Sequence, residues 1–421
     1  MCPFILTEVI KLGIEHLELM PEPEDSRILT AVDPSAPGYP GSAYGLSDDE
    51  AKELRWPFGP MKDFVWPWGA VTFSLGAVFI LISWSWIQAF LIPILPDSEW
   101  AYESSGFREM QSEGYFGEGI HVCIVDTGID IDHPDFSDVN LRGFRDFYSG
   151  DHNQIRDVGS DYHGTLMAGL MVANGTYVGA APEVTLSIAL ALGPDGGGGK
   201  SDRVANAIRW CYITQDADII SLSLGGDPGK SNTSFRSETV SAVTDALDSG
   251  VFIVAAAGNN GMDPSIIDVS VPSNLDRVIS VGASMKGGSA WLNSSKGSIY
   301  DPYTGDERVF PNQKPEIMAP GIRMFSTAST SINPPYAYST GTSDSTVLVS
   351  SGLALILEKH GDQLRGEDGQ FNQSEMELVK RSLATSALAG DDTSSSHHLK
   401  RGYGQLDVVA WSEQVVFELN L

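Results

Sequence analysis

Hydrophobic positions along this 421-residue chain fall into three regimes. Residues 65–95, VWPWGAVTFSLGAVFILISWSWIQAFLIPIL, carry no charged side chain and exceed the roughly 20 residues that a helix needs to cross a bilayer. The pattern predicts one transmembrane helix there. Residues 1–64 are acidic and interrupted by Pro, Gly and Ser, as in DPSAPGYPGSAYG, which predicts a largely flexible segment. Within it, residues 47–56 predict a short helix opened by a capping box of Ser47 and Glu50. The first 19 residues have helical apolar spacing, or are upstream sequence with Met20 as the start.

From residue 98 onward, short apolar runs alternate with helical stretches. HVCIVD, VTLSIALAL, ADIISLSL, VFIVAAAG and RVISVGA read as strands buried on both faces, because polar alternation is missing. HGTLMAGLMVA, SDRVANAIRWC and TVSAVTDALDSG read as the crossover helices between them. Together they predict a three-layer α/β/α domain with a parallel sheet over residues 98–421, with functional groups at the carboxyl ends of its strands.

Charge narrows the function. With 26 Lys and Arg against 55 Asp and Glu, the net charge of -29 excludes the basic footprint that nucleic acid requires. Lys52, Arg55 and Lys62 precede the uncharged stretch, whereas Asp97, Glu99 and Glu103 follow it with only Arg108 nearby. Basic residues accumulate on the cytoplasmic side, so the N-terminus is expected in the cytoplasm and the α/β domain outside, anchored by a single pass. The three cysteines, Cys2, Cys123 and Cys211, show neither a disulfide framework nor zinc spacing, and two lie in apolar runs where a thiol acts as a small hydrophobe.

Four polar residues stand beside small-residue signatures, and each has an ordinary reading. Asp126 ends HVCIVD, where it can orient an imidazole or merely form a turn. His163 opens HGTLMAG, where the helix dipole disfavours its cation, so a neutral base or a satisfied structural histidine both fit. Asn259, in AAAGNNG, is a donor for a developing oxyanion or a turn residue. Ser343, in STGTSDSTVL, is a helix cap or a nucleophile raised at a helix start.

Their order decides between the readings. Asp126, His163 and Ser343 follow one another as Asp, His, Ser, and VDTGIDIDHPDF, HGTLMAG, SLSLGG, AAAGNNG, VISVGA, KPEIMAPG, GTSDS and RGYGQLDVVAW stand in the order found in subtilases. From about residue 98 to its end the chain resembles that family of subtilisin-like serine peptidases. The resemblance implies Ser343 as nucleophile, His163 as general base and Asp126 as its orienting carboxylate, with Asn259 and the Ser343 amide as oxyanion donors. It implies that Ser223, Leu224 and Gly225 flank the primary specificity pocket, and that Gly196, Gly197 and Gly198 pair with an extended peptide on the other side. Asn260 and Ser270 at pocket positions imply a neutral or apolar preference, and Lys200 is a solvated lysine or favours an acidic residue further along. Protein or peptide substrates are expected, with no organic cofactor. Calcium is doubtful: Asp135 resembles one ligand, but the loop after LMVA is short for the family.

The sequence also departs from the family. Asp344, Val347 and Leu348 stand where a Met or small residue, a proline and often a histidine are usual, and Asp344 adds negative charge near a site that must stabilise an oxyanion. Leu166 replaces a second histidine, and the few residues between the apolar stretch and the domain leave no room for the family's propeptide. A membrane-anchored serine endopeptidase is the expected function, and an inactive binding module with the same fold is its rival.

Overall fold

A computed structural model describes residues 69–91, 97–150, 154–196, 201–226, 233–301, 304–366, 369–389 and 396–420. Two compact units divide near residue 92. In the first, helix α1 spans Gly69–Leu91, 23 residues without an acidic or basic side chain. Its bounds fall inside the predicted 65–95 stretch, and Phe73, Leu81 and Ile82 are each more than 70% exposed. Its side chains are described only in part, and among the described residues no helix is long and apolar enough to cross a membrane. The expected helix at 47–56 and the opening 19 residues lie outside the described residues.

The second unit opens with two short helices, α2 (Glu99–Ser104) and α3 (Phe107–Ser112), before the first strand. Strands β1 (His121–Asp126) and β2 (Asn140–Asp146) are followed by helix α4 (His163–Val172) and strand β3 (Thr185–Leu190). Helix α5 (Ser201–Arg209) runs into a π turn at Trp210–Thr214, then come β4 (Ile219–Leu222), α6 (Thr233–Asp248) and β5 (Phe252–Ala256). Strands β6 (Ile279–Ser284) and β7 (Ile317–Pro320) complete the sheet, and β8 (Ile322–Thr327) and β9 (Tyr336–Thr340) form a separate hairpin. Helices α7 (Thr342–Leu364), α8 (Gln373–Ala389) and α9 (Val408–Glu418) end the chain.

The seven-stranded sheet has the order β2-β3-β1-β4-β5-β6-β7, and every pairing is parallel. Strands β1, β3, β4, β5 and β6 consist almost wholly of buried residues, as their unalternating apolar runs require. Because β1 lies between β3 and β4, the chain reverses its direction of travel across the sheet there, and the crevice at the strands' carboxyl ends is the natural place for a site. Helix α7 packs on β4, β5, β6 and β7 and is buried along most of its length.

Two features of the core were not foreseen. Cys123 on β1 and Cys211 in the π turn form a disulfide with Cα atoms 5.8 Å apart, so these cysteines are a cross-link rather than two separate thiols. Their 88-residue separation hid a pairing that only the sheet brings together. Beneath β6 and β7, the buried Glu316 carboxylate accepts from both Lys314 and Lys380 at 2.7 Å, while Arg308 pairs with buried Asp268 at 2.9 Å. Burial pushes the Lys314 ammonium down to about 7 against the opposing pull of Glu316.

Candidate active site

Asp126 leaves the end of β1 fully buried, and both of its oxygens accept from the His163 imidazole, Oδ1 at 2.8 Å and Oδ2 at 3.0 Å from Nδ1. The Thr127 amide donates to Oδ1 at 2.7 Å and fixes the carboxylate plane. Such a contact keeps the Nδ1 proton on the ring and leaves Nε2 as the basic nitrogen. Burial pulls the imidazolium down, but the charge and hydrogen bond of Asp126, with further help from Asp344 and Asp161, outweigh it and raise His163 to about 9.

Close backbone approach sets this pair. Helix α4 starts directly after Tyr162, whose φ of 59° is left-handed and turns the chain so that His163 faces β1. At Gly164 a Cβ would lie 2.1 Å from the carbonyl oxygen of Gly128, and at Gly128, whose φ is +119°, it would lie 2.0 Å from that of Arg156. Only glycine permits either contact. Asp157 then ties the pieces together: it accepts from Thr127 Oγ1 at 2.7 Å, from the Thr165 amide at 2.8 Å and from Thr165 Oγ1 at 2.6 Å. Sequence reasoning missed Asp157 and Tyr162, since nothing in RDVGSDYHGT marks a carboxylate that will cap a helix beginning several residues later.

Ser343 stands in the first turn of α7 and is 8% exposed. Its Oγ donates to the Ser223 carbonyl at 3.3 Å, and Ser223 Oγ donates to the Ser343 carbonyl at 3.1 Å. No hydrogen bond between Ser343 and His163 is formed among the described residues, but both line one cleft of about 510 Å³ together with Asn259 and Asp344. Asn259 is pinned by its oxygen, which accepts from the Thr342 amide at 3.0 Å and from Thr342 Oγ1 at 2.9 Å. Its amide nitrogen is left as a donor at the N-terminus of α7, where the helix dipole favours negative charge.

The remaining predicted positions separate. Ser223, Leu224 and Gly225 continue β4 toward the bridge of Gly226 with Val271, and a Cβ on Gly225 would meet the Ser270 Cβ at 2.5 Å. Ser270 is buried there, whereas Asn260 is exposed. Gly196 closes a turn by donating to the Gly193 carbonyl at 2.9 Å with φ +64°, so it does not run as an extended strand. Gly197, Gly198 and Lys200 lie outside the described residues.

Asp135, the calcium candidate, is partly engaged by protein groups: its Oδ1 accepts from Tyr336 at 3.0 Å and from Thr176 at 3.4 Å, while its buried Oδ2 has no hydrogen-bond partner among the described residues. Among the described residues no group of three His, Cys, Asp or Glu side chains could hold a metal.

Asp344, the departure singled out in the sequence, is fully buried, and its Oδ2 accepts from Ser339 Oγ at 3.0 Å. Burial raises it to about 7, against the opposing effects of Ser339, His163 and its own backbone amide.

The Subtilase family matches residues 117–405. The major intracellular serine protease of Bacillus subtilis is 33% identical over 283 residues, covering 65% of this chain and 79% of that protein. Subtilisin E of Bacillus subtilis is 34% identical over 254 residues, 60% of this chain but 58% of its own length. Subtilisin of Bacillus pumilus is 34% identical over 254 residues and is covered over 81%.

Proposed function

The chain belongs to the subtilase family, whose members are serine-type endopeptidases that act without an organic cofactor, and from that premise we propose that it cleaves proteins or peptides with Asp126, His163 and Ser343. The observation that carries this reading is the His163 imidazole held by both oxygens of a buried Asp126 on the wall of the cleft that Ser343 enters. Ser343 rotates from the long contact with Ser223 to give its proton to His163 Nε2 as Oγ attacks the carbonyl carbon. Asp126 stabilises the imidazolium so formed. Asn259 Nδ2 and the Ser343 amide donate to the oxygen that becomes negative, and the orphan amides of α7 add their dipole. His163 then protonates the leaving amine, and water, deprotonated by the same imidazole, releases the acyl group from Ser343.

The location of this chemistry is part of the proposal. The uncharged stretch at residues 65–95 anchors the protein in a membrane, with residues 1–64 in the cytoplasm and the peptidase domain outside. The Cys123–Cys211 disulfide supports an oxidising compartment for that domain.

A fluorophosphonate reagent tests the chemistry: it labels the wild-type protein and not Ser343→Ala. A well-folded wild-type protein that takes no label overturns the reading. Protease added to intact cells should remove the peptidase domain and spare residues 1–64, and the reverse pattern refutes the orientation.

A further inference from the structure

On the peptidase reading, on which this inference rests, the two sides of Ser343 bind different parts of the substrate. Ser343 Oγ touches Ser223 on one side, and none of Ser223, Leu224 and Gly225 lines the cleft of about 510 Å³ on the other. That cleft is lined by Tyr162 and Leu166, by Tyr338 and Ser339 of β9, and by Asp344. If the acyl half runs along residues 223–225, the half that leaves as an amine occupies this cleft, which Asp344 lines.

Asp344 is arranged to receive something there. Its Oδ2 is taken by Ser339, but its Oδ1 is buried and no other residue donates to it among the described residues. A carboxylate oxygen withdrawn from water and left without a donor is costly, and the cost falls when a donor enters. The cation nearest in the site, His163, already gives its Nδ1 proton to Asp126. We infer that Asp344 is a specificity residue that selects substrates with Lys or Arg immediately after the scissile bond, the cationic side chain entering the cleft to meet Oδ1.

Protonation tunes that selection. The groups facing Asp344 in the cleft are His163 on α4, Asp161 and Tyr162 just before it, and Tyr338 on β9. Because burial raises the acid to about 7, an arriving cation favours its ionised form, and the preference grows as pH rises through neutrality.

The test uses the full chain and peptide pairs that differ only after the scissile bond, Arg against its neutral analogue citrulline and Lys against Gln, with kcat/KM measured at pH 6 and pH 8.5. The wild-type protein should favour the cation by about tenfold at pH 8.5, the scale of one charge-assisted hydrogen bond, and by much less at pH 6. Asp344→Asn, which keeps an acceptor for Ser339, should remove the preference at both values. Equal rates for each pair in the wild-type protein, or a preference that survives in Asp344→Asn, overturns the inference. So does a change in Asp344→Asn that is confined to the pH profile and equal for every peptide, which would mean that Asp344 acts on His163 alone. Should Asp344→Asn not fold, the wild-type pH dependence of the ratio decides. Cleavage of the neutral peptides keeps the two readings apart: no cleavage of any peptide and no fluorophosphonate labelling defeats the peptidase reading itself and this inference with it.

Discussion

His163 sits between three carboxylates, and its proton is correspondingly hard to remove. An imidazolium cannot act as a base, so kcat/KM should climb with pH and reach half its maximum near pH 9, where His163 loses its proton. The same shift acts on stability: the charged pair with Asp126 contributes fully below the ordinary imidazole range, and that contribution is lost as pH rises past about 9. Replacing Asp344 by Asn removes one of the three charges and should move the acid limb toward neutrality in a pH profile. Asn259→Ala should lower kcat by about two to three orders of magnitude with little change in KM, because the lost donor serves only the developing oxyanion. Measuring the two constants separately checks this.

At the level of elements, the pairing of Asp126 with His163 depends on how tightly the turn after β1 fits the start of α4. Gly164→Ala would push a methyl group into the Gly128 carbonyl, and denaturant titration should show a loss of about 1–3 kcal/mol, the usual cost of overpacking. Activity should fall further than stability, since the same shift parts Nδ1 from the carboxylate. The uninterrupted apolar runs made β1, β3, β4, β5 and β6 legible, and the glycines of HGTLMAG made α4 legible, because burial on both faces and close helix packing leave local marks. The β8–β9 hairpin was not legible: no position of YAYST is fully buried, so it lacks an apolar run, and Phe325 of β8 packs against the distant Tyr177. Asp126, His163, Asn259 and Ser343 were readable as a set from their order, but the hydroxyl of Ser343 turned toward Ser223, the turn at Gly196 and the buried state of Asp344 depend on neighbours far away in the chain.

The whole domain is held by a cross-link and a buried charge cluster that sequence spacing concealed. Closing a loop of 88 residues restricts the unfolded chain, so Cys123→Ser with Cys211→Ser should cost about 4 kcal/mol, read from the denaturation midpoint with and without reductant. Glu316→Gln would leave Lys314 and Lys380 facing each other without a counter-charge, at a cost of about 3–5 kcal/mol in the same assay. Helix α7 gives the molecule a less obvious property. The Ser343 hydroxyl, the proposed nucleophile, belongs to a buried helix rather than to a peripheral loop, so on that proposal the domain has no route by which it could come apart at the centre and still turn over substrate. Thermal inactivation and the loss of helical circular dichroism should trace one curve, which makes residual hydrolysis a direct gauge of how many molecules remain native.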